Sequence, residues 1–174
     1  MIHITPRACT LGSSINTRTE KHGDEDVPAC DIPLAGIVLS DQELGALIGE
    51  PLAAQLLFTK RGGHTEPVFT KIEALRLKGK VDSATVSIDL AVDEQNAKLK
   101  SLRLEPQSGG ATLLALTVQL SGDAVPAIVG RLLERLGQDV TASILIGEVE
   151  APPEDDQADL PINTFGNGEQ DEAA

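Results

Sequence analysis

From Ala84 to Leu90 the chain alternates strictly. Val81, Ala84, Val86, Ile88 and Leu90 supply one apolar face, while Thr85, Ser87 and Asp89 point the other way. A period of two is the pattern of a strand with one side in a core and the other in water. The residues beyond Leu90 constrain the fold further. Asp93-Glu-Gln-Asn96 reads as a turn and Lys98–Glu105 as a returning strand. Gln107-Ser-Gly-Gly110 is a second turn, leading into Ala111–Leu120. Consecutive strands joined by short turns make an antiparallel meander, which rules out a parallel sheet for this half of the chain.

The flanking segments extend the same class. Met1–Thr5 predicts a short first strand. Asn16–Glu20 and Val27–Ser40 surround the polar segment Lys21-His-Gly-Asp-Glu-Asp26 as the arms of a hairpin. Pro28 and Pro33 mark the second arm as irregular or at an edge, because proline donates nothing to a ladder. Ser40 or Asp41 can cap a helix over Gln42–Ile48, and Pro51 restarts a second over Leu52–Phe58. Thr59–Pro67, with Gly62-Gly63, reads as a loop. Asp123 can cap a helix running to Leu136, whose Val125, Ile128, Val129, Leu132 and Leu136 share a face, with Gly137 as its stop. Val140–Val149 reads as a closing strand. Strands dominate without alternating with helices. The expected fold is therefore β-rich (α+β), an antiparallel sandwich or open barrel with two helical segments on one side.

Charge divides the chain. The 27 Asp and Glu against 14 Lys and Arg give −13 overall. Seven of the acids (Glu154, Asp155, Asp156, Asp159, Glu169, Asp171, Glu172) and none of the bases lie beyond residue 150, so residues 1–150 carry only −6. Pro152-Pro153 marks the boundary. The expected organisation is one β-rich domain, 1–150, and a disordered acidic C-terminal tail, 151–174. Within that tail Leu160, Ile162 and Phe165 form a short apolar cluster, a candidate partner-binding segment for a groove with a basic rim. A tail that serves only solubility is the plainer alternative.

The residues offer little for catalysis. Cys9 and Cys30 stand far apart, and His3, His22 and His64 fall in different segments. No pair has the close spacing of a zinc site, and a joint site of Cys9, His22 and Cys30 has no such pair to nucleate it. Asp24-Glu-Asp26 offers carboxylates, but neighbours along a strand point to opposite faces, so one cation rarely collects all three. Arg61-Gly-Gly-His64 and Ser108-Gly-Gly110 match no phosphate-binding loop. No enzyme, metal or cofactor is expected. No apolar run approaches the length of a membrane span. The first residues, MIHITPRACTLG, lack a basic region followed by an apolar one, so a cytoplasmic protein is expected.

One basic feature stands out. Arg76, Lys78 and Lys80 recur at period two, and Lys98, Lys100 and Arg103 lie on the strand expected beside them. With Lys60, Arg61 and Lys71 these form a candidate positive patch, and Arg76, Lys78, Lys80, Lys98 and Lys100 are its candidate nucleic-acid-binding residues. An ordinary solvated sheet face is the alternative. Against nucleic acid stands the shortage of stacking platforms: three Phe, no Tyr, no Trp.

Two stretches carry a resemblance. Arg18-Thr-Glu-Lys-His-Gly-Asp-Glu-Asp-Val-Pro-Ala29 and the apolar run after it are similar to the opening of an uncharacterised group of small phage and prophage proteins. Leu102-Arg-Leu-Glu-Pro-Gln-Ser-Gly-Gly110 and the strand with Val118-Gln119 resemble that group's second half. The resemblance spans roughly residues 14–150 and excludes the tail. Because such proteins are found near recombination and replication genes, it implies a non-enzymatic phage accessory protein of DNA recombination or replication, located in the host cytoplasm. Single-stranded DNA and a phage or host DNA-processing protein are the partners this implies. The alternative is an acidic inhibitor or DNA mimic aimed at a host nuclease or defence complex, with Asp24, Glu25, Asp26, Asp41, Glu43 and Glu50 as its charges. A virion component or assembly adaptor is a third role open to such a domain.

Overall fold

The structure, a computed structural model, describes residues 1–69, 73–89 and 92–147. Its elements in chain order are β1 (Ile2–Leu11), β2 (Asn16–His22), β3 (Glu25–Leu39), α1 (Asp41–Ile48), α2 (Ala53–Leu57), β4 (Phe58–Arg61) and β5 (His64–Pro67). Then come β6 (Leu75–Arg76), β7 (Val81–Ile88), β8 (Val92–Pro106), β9 (Thr112–Ser121), α3 (Val125–Leu132), a single 3-10 turn (Leu133–Arg135) and β10 (Asp139–Ile146). The β-rich antiparallel architecture expected from the sequence is present, and its sheet closes. Six strands, β1-β10-β7-β8-β9-β3, form a ring because β3 pairs back onto β1.

The closure turns on the long strand β3. One side of β3 pairs with β9 from Ala29 to Leu39. Its other side pairs first with β2, up to Asp31 opposite Asn16, and then with β1, where Leu34 faces Leu11 and Ala35 faces Thr10. Pro33 sits where β3 passes from one neighbour to the other, and Pro28 lies beyond the last β9 pair. Neither proline therefore breaks a ladder that runs on both sides, which is how a strand with two prolines becomes a stave of the barrel. At the seam the Gly12 amide donates to the Pro33 carbonyl at 2.8 Å. A Cβ on Gly12 would lie 2.6 Å from the Pro33 ring, so the strands close this tightly only around glycine.

A six-stranded ring needs strong curvature, and bulges supply it. Register shifts occur in β1 between Ile4 and Arg7, in β3 between Leu34 and Ile37, and in β8 between Lys100 and Arg103. β7 and β8 slip twice more beside Ala84. Backbones with positive φ accompany several of them: Gly36 at 77°, Asn96 at 64° and Ser101 at 54°. Inside, Ile4, Leu11, Ile32, Leu34, Ile37, Ile88, Leu99, Leu104, Leu114 and Ile144 are almost wholly buried.

The helices sit over the ring's two ends. Because all pairs are antiparallel, the C-terminal end of β3 shares one end with the starts of β1, β7 and β9 and with the end of β10. There α1 begins with the Ser40 cap, and the side chains of Ser40 and Glu43 each bond the other's backbone. Leu44, Leu47, Ala53 and Leu57 from α1 and α2 fill that mouth. At the opposite end α3 lowers Val125, Ile128 and Leu132 into the core. Its helix starts at Val125 without a side-chain cap, later than a cap at Asp123 would place it. The segment 59–67, expected as a loop, is a hairpin: β4 and β5 pair from Phe58–Pro67 to Arg61–His64 across Gly62 and Gly63, both at positive φ. Two glycines of that kind match the twist that a two-residue hairpin requires. No helix among the described residues is long and apolar enough to cross a membrane. Leu90, Lys71, Val149 and the tail cluster Leu160, Ile162 and Phe165 lie outside the described residues.

Candidate nucleic-acid interface

The five candidate cations come together on the barrel wall. β6 pairs with β8 at Leu75–Leu104 and Arg76–Arg103, the Leu77 amide donates to the Leu102 carbonyl, and β7 rejoins β8 at Val81–Leu99. Residues 75–81 thus run along β8 as one interrupted stave, and the register brings Lys80 beside Lys100. Leu75 and Leu77 pack against the core while Val81, Leu99, Leu102 and Leu104 are buried in it. Arg76, Lys78, Lys80 and Lys98 are exposed, and Lys100 and Arg103 are half-buried on the same outer side. Parity alone would send Arg103 inward after Lys100. The bulge at Ser101 resets it, so β8 presents Lys98, Lys100 and Arg103 outward together.

This ribbon carries six cations and few counter-charges. Among the described residues two of the six form ion pairs: Lys80 with Asp82 at 3.4 Å, and Arg103 with Glu105 at 2.8 Å. Both pairs are solvated and worth little. Arg76 and Arg103 face each other directly, an arrangement that costs energy in a sheet unless an anion lies between the two.

Beside the ribbon, on β2, β3 and β9, lies a polar network that sequence reasoning missed. Arg18 reaches Glu20 at 2.5 Å and Asp31 at 2.7 Å, and the Gln119 amide donates to Glu20 at 2.6 Å. Gln119 is buried although it lies on the outer side of β9. The Arg18 hydrogen bond, with the Arg18 and Lys100 charges, holds the Glu20 carboxyl below its ordinary value against the cost of burial. Arg18 in turn is raised, chiefly by Asp31. The spacing of Arg18 and Glu20 was visible, but their partner Asp31 depends on the β2–β3 register. One guanidinium against two carboxylates leaves this network at −1, and its Glu20 lies close enough to feel the Lys100 charge, so the network bounds the cationic ribbon on this side.

The six acids weighed for DNA mimicry do not share a face. Asp24, Glu25 and Asp26 lie at or beside the β2–β3 turn, and Asp41, Glu43 and Glu50 lie around α1. The part of β3 beyond Asp26, up to Leu39, separates the two groups, roughly 40 Å of strand. Glu43 is also buried and engaged. Its two carboxylate oxygens take Arg7 nitrogens at 2.7 and 2.8 Å, and one also accepts from the Ser40 amide and hydroxyl. Burial pushes Glu43 up, but Ser40 and Arg7 outweigh it and the carboxyl sits below its ordinary value. Stability from such a group is full above pH 4.5 and is lost as pH falls through the lowered value. Glu43→Ala is expected to cost about 2 kcal/mol at pH 7, because it strips both the helix cap and the Arg7 partner. In urea titrations the gap to wild type should narrow as pH drops below 4. An equal gap at both pH values would contradict the role given to this ion pair.

The thiols and imidazoles do not converge. Cys9 and Cys30 are free and buried; burial pushes Cys9 up to about 11 and raises Cys30 as well. His3, His22 and His64 are exposed on three different strands. No group of three or more His, Cys, Asp or Glu side chains able to hold a metal occurs among the described residues. Lys60 and Arg61 are exposed on β4, whose partner β5 touches the β8–β9 turn through the Gly109 amide and the Thr65 carbonyl at 2.9 Å. Between β5 and the head of the ribbon opens a groove of about 1110 Å³ lined by Glu66, Phe69, Glu73, Arg76, Arg103 and Glu105, among others. Compared with known proteins, the chain matches no family model, no curated protein and no solved structure.

Proposed function

We propose that this chain is a non-enzymatic accessory protein of phage-type DNA recombination or replication, working in the host cytoplasm, that holds single-stranded DNA weakly along the β6–β7/β8 ribbon. The observation that carries this reading is the convergence of Arg76, Lys78, Lys80, Lys98 and Lys100, with Arg103, on one wall of a domain that is acidic overall. Cations gathered against the net charge form a local field that a phosphate backbone can follow. The closed ring supplies a rigid support for such a field, since β8, which carries Lys98, Lys100 and Arg103, is paired on both sides. The acidic tail recruits a protein partner through Leu160, Ile162 and Phe165. Its seven acids, tethered to the same chain, also compete with DNA for the ribbon and keep affinity low. A labelled 20-nucleotide strand titrated with the full chain at low ionic strength tests this. Saturable binding that weakens as salt is raised is the expected result, and no binding at low salt overturns the proposal.

A further inference from the structure

The ribbon accounts for phosphates but offers nothing to a base. Its outer face holds no aromatic ring, and the chain has only three Phe. Phe58 is half-buried and packs against the core. Phe69 differs: it is 47 % exposed and lines the groove at the head of the ribbon. Arg76 and Arg103 belong to both features, so a strand lying on the ribbon leads directly into the groove.

The charges of the groove select its occupant. Among the described residues that line it are three carboxylates, Glu66, Glu73 and Glu105, and two guanidiniums, Arg76 and Arg103. Glu105 is held by Arg103 at 2.8 Å. Glu66 and Glu73 add carboxylates beyond the one that Arg103 holds, and these are acceptors that a neutral base can use. Carboxylates accept hydrogen bonds from exocyclic amino groups such as cytosine N4 and have nothing to donate to the carbonyl that thymine carries there. An exposed phenyl ring offers a stacking surface to any base.

We infer that this groove is a single-nucleobase site, in which Phe69 stacks the base and Glu66 and Glu73 favour one bearing an amino group. The inference rests on the reading of the ribbon as a DNA-binding surface. It predicts that the chain prefers oligo(dC) to oligo(dT) of equal length, although both carry the same phosphates.

The test uses the full chain, wild type and the variants Phe69→Ala and Phe69→Trp, with dC and dT twelve-mers at low salt. Phe69→Ala is expected to weaken dC binding by about 5- to 100-fold, the range of one lost base–aromatic stack. It should leave the salt slope unchanged. Phe69→Trp should keep the dC preference, and its indole, the sole Trp in a chain without Tyr, should be quenched on binding. If the wild type binds neither strand, the ribbon reading falls and this inference with it. If the wild type binds but Phe69→Ala binds equally well, with no dC preference in either, the base site alone is overturned.

Discussion

Leu34→Ala is expected to lower the unfolding free energy by about 3 kcal/mol, with a fall in melting temperature of about 6–12 °C. Leu34 is 1 % exposed and lies opposite Leu11 of β1 on one side and Leu116 of β9 on the other. It is thus the core residue at the point where the ring closes. Truncation removes the transfer energy of three carbons and leaves a cavity between strands that bulges already hold under curvature. The two pairs that join β3 to β1 are few, so little else is available there to collapse into the space. Leu133→Ala offers the contrast: that side chain is 54 % exposed on the 3-10 turn, and its loss should change stability by less than about 0.5 kcal/mol. Urea unfolding followed by circular dichroism separates the two. Equal, small effects would mean that the β1–β3 seam does not close the barrel in solution.

The second large effect concerns the ribbon. Changing Lys78, Lys80, Lys98 and Lys100 together to Gln is expected to reduce single-strand affinity by about 100-fold or more at low salt. All four lie on the outer surface, and among the described residues Lys80 alone of the four has an ion-pair partner, so the fold should tolerate the exchange. The dependence on salt gives a sharper readout than affinity. Each phosphate neutralised on a single strand contributes about −0.7 to the slope of log K against log salt, so losing four should flatten it by about 2.8. Four changes on α3 and the β2–β3 turn should leave the slope as it was. A variant that binds weakly with an unchanged slope would point to damage elsewhere, and one that binds normally would remove the ribbon from the DNA-binding surface.

Much of this architecture can be read from local pattern. The alternation of β7 and the turn at 107–110 specify the meander, because burial on one side and water on the other leave few alternatives. Asp93–Asn96, expected as a turn, instead belong to β8, where Asp93 pairs with Ser87 and Glu94 with Val86. Ser40 and Glu43 announce α1, since a capping box is a short-range device. What escapes the sequence is whatever depends on a distant partner. Nothing near Gly12 says that it will lie under Pro33, and Pro28 and Pro33 argue locally against the strand they occupy. The Gly62-Gly63 pair is a hairpin signal that reads equally well as a loop when its arms, Phe58–Arg61 and His64–Pro67, are short and polar. The candidate site divides in the same way. Arg76, Lys78 and Lys80 declare a shared face by their spacing. The outward turn of Arg103 depends on a bulge at Ser101, and Phe69 acquires its place beside the arginines only through the packing of β5 on the β8–β9 turn.

The proposed function stands or falls on a location, the β6–β7/β8 wall as the surface on which DNA lies. Amide chemical shifts of the isotopically labelled full chain, recorded while a single-stranded oligonucleotide is added at low salt, test it most directly. The largest shifts are expected at residues 76–80 and 98–103, with the β2–β3 turn and α3 unmoved. Shifts concentrated on α3 or the β2–β3 turn, or none anywhere at saturating DNA, would contradict it.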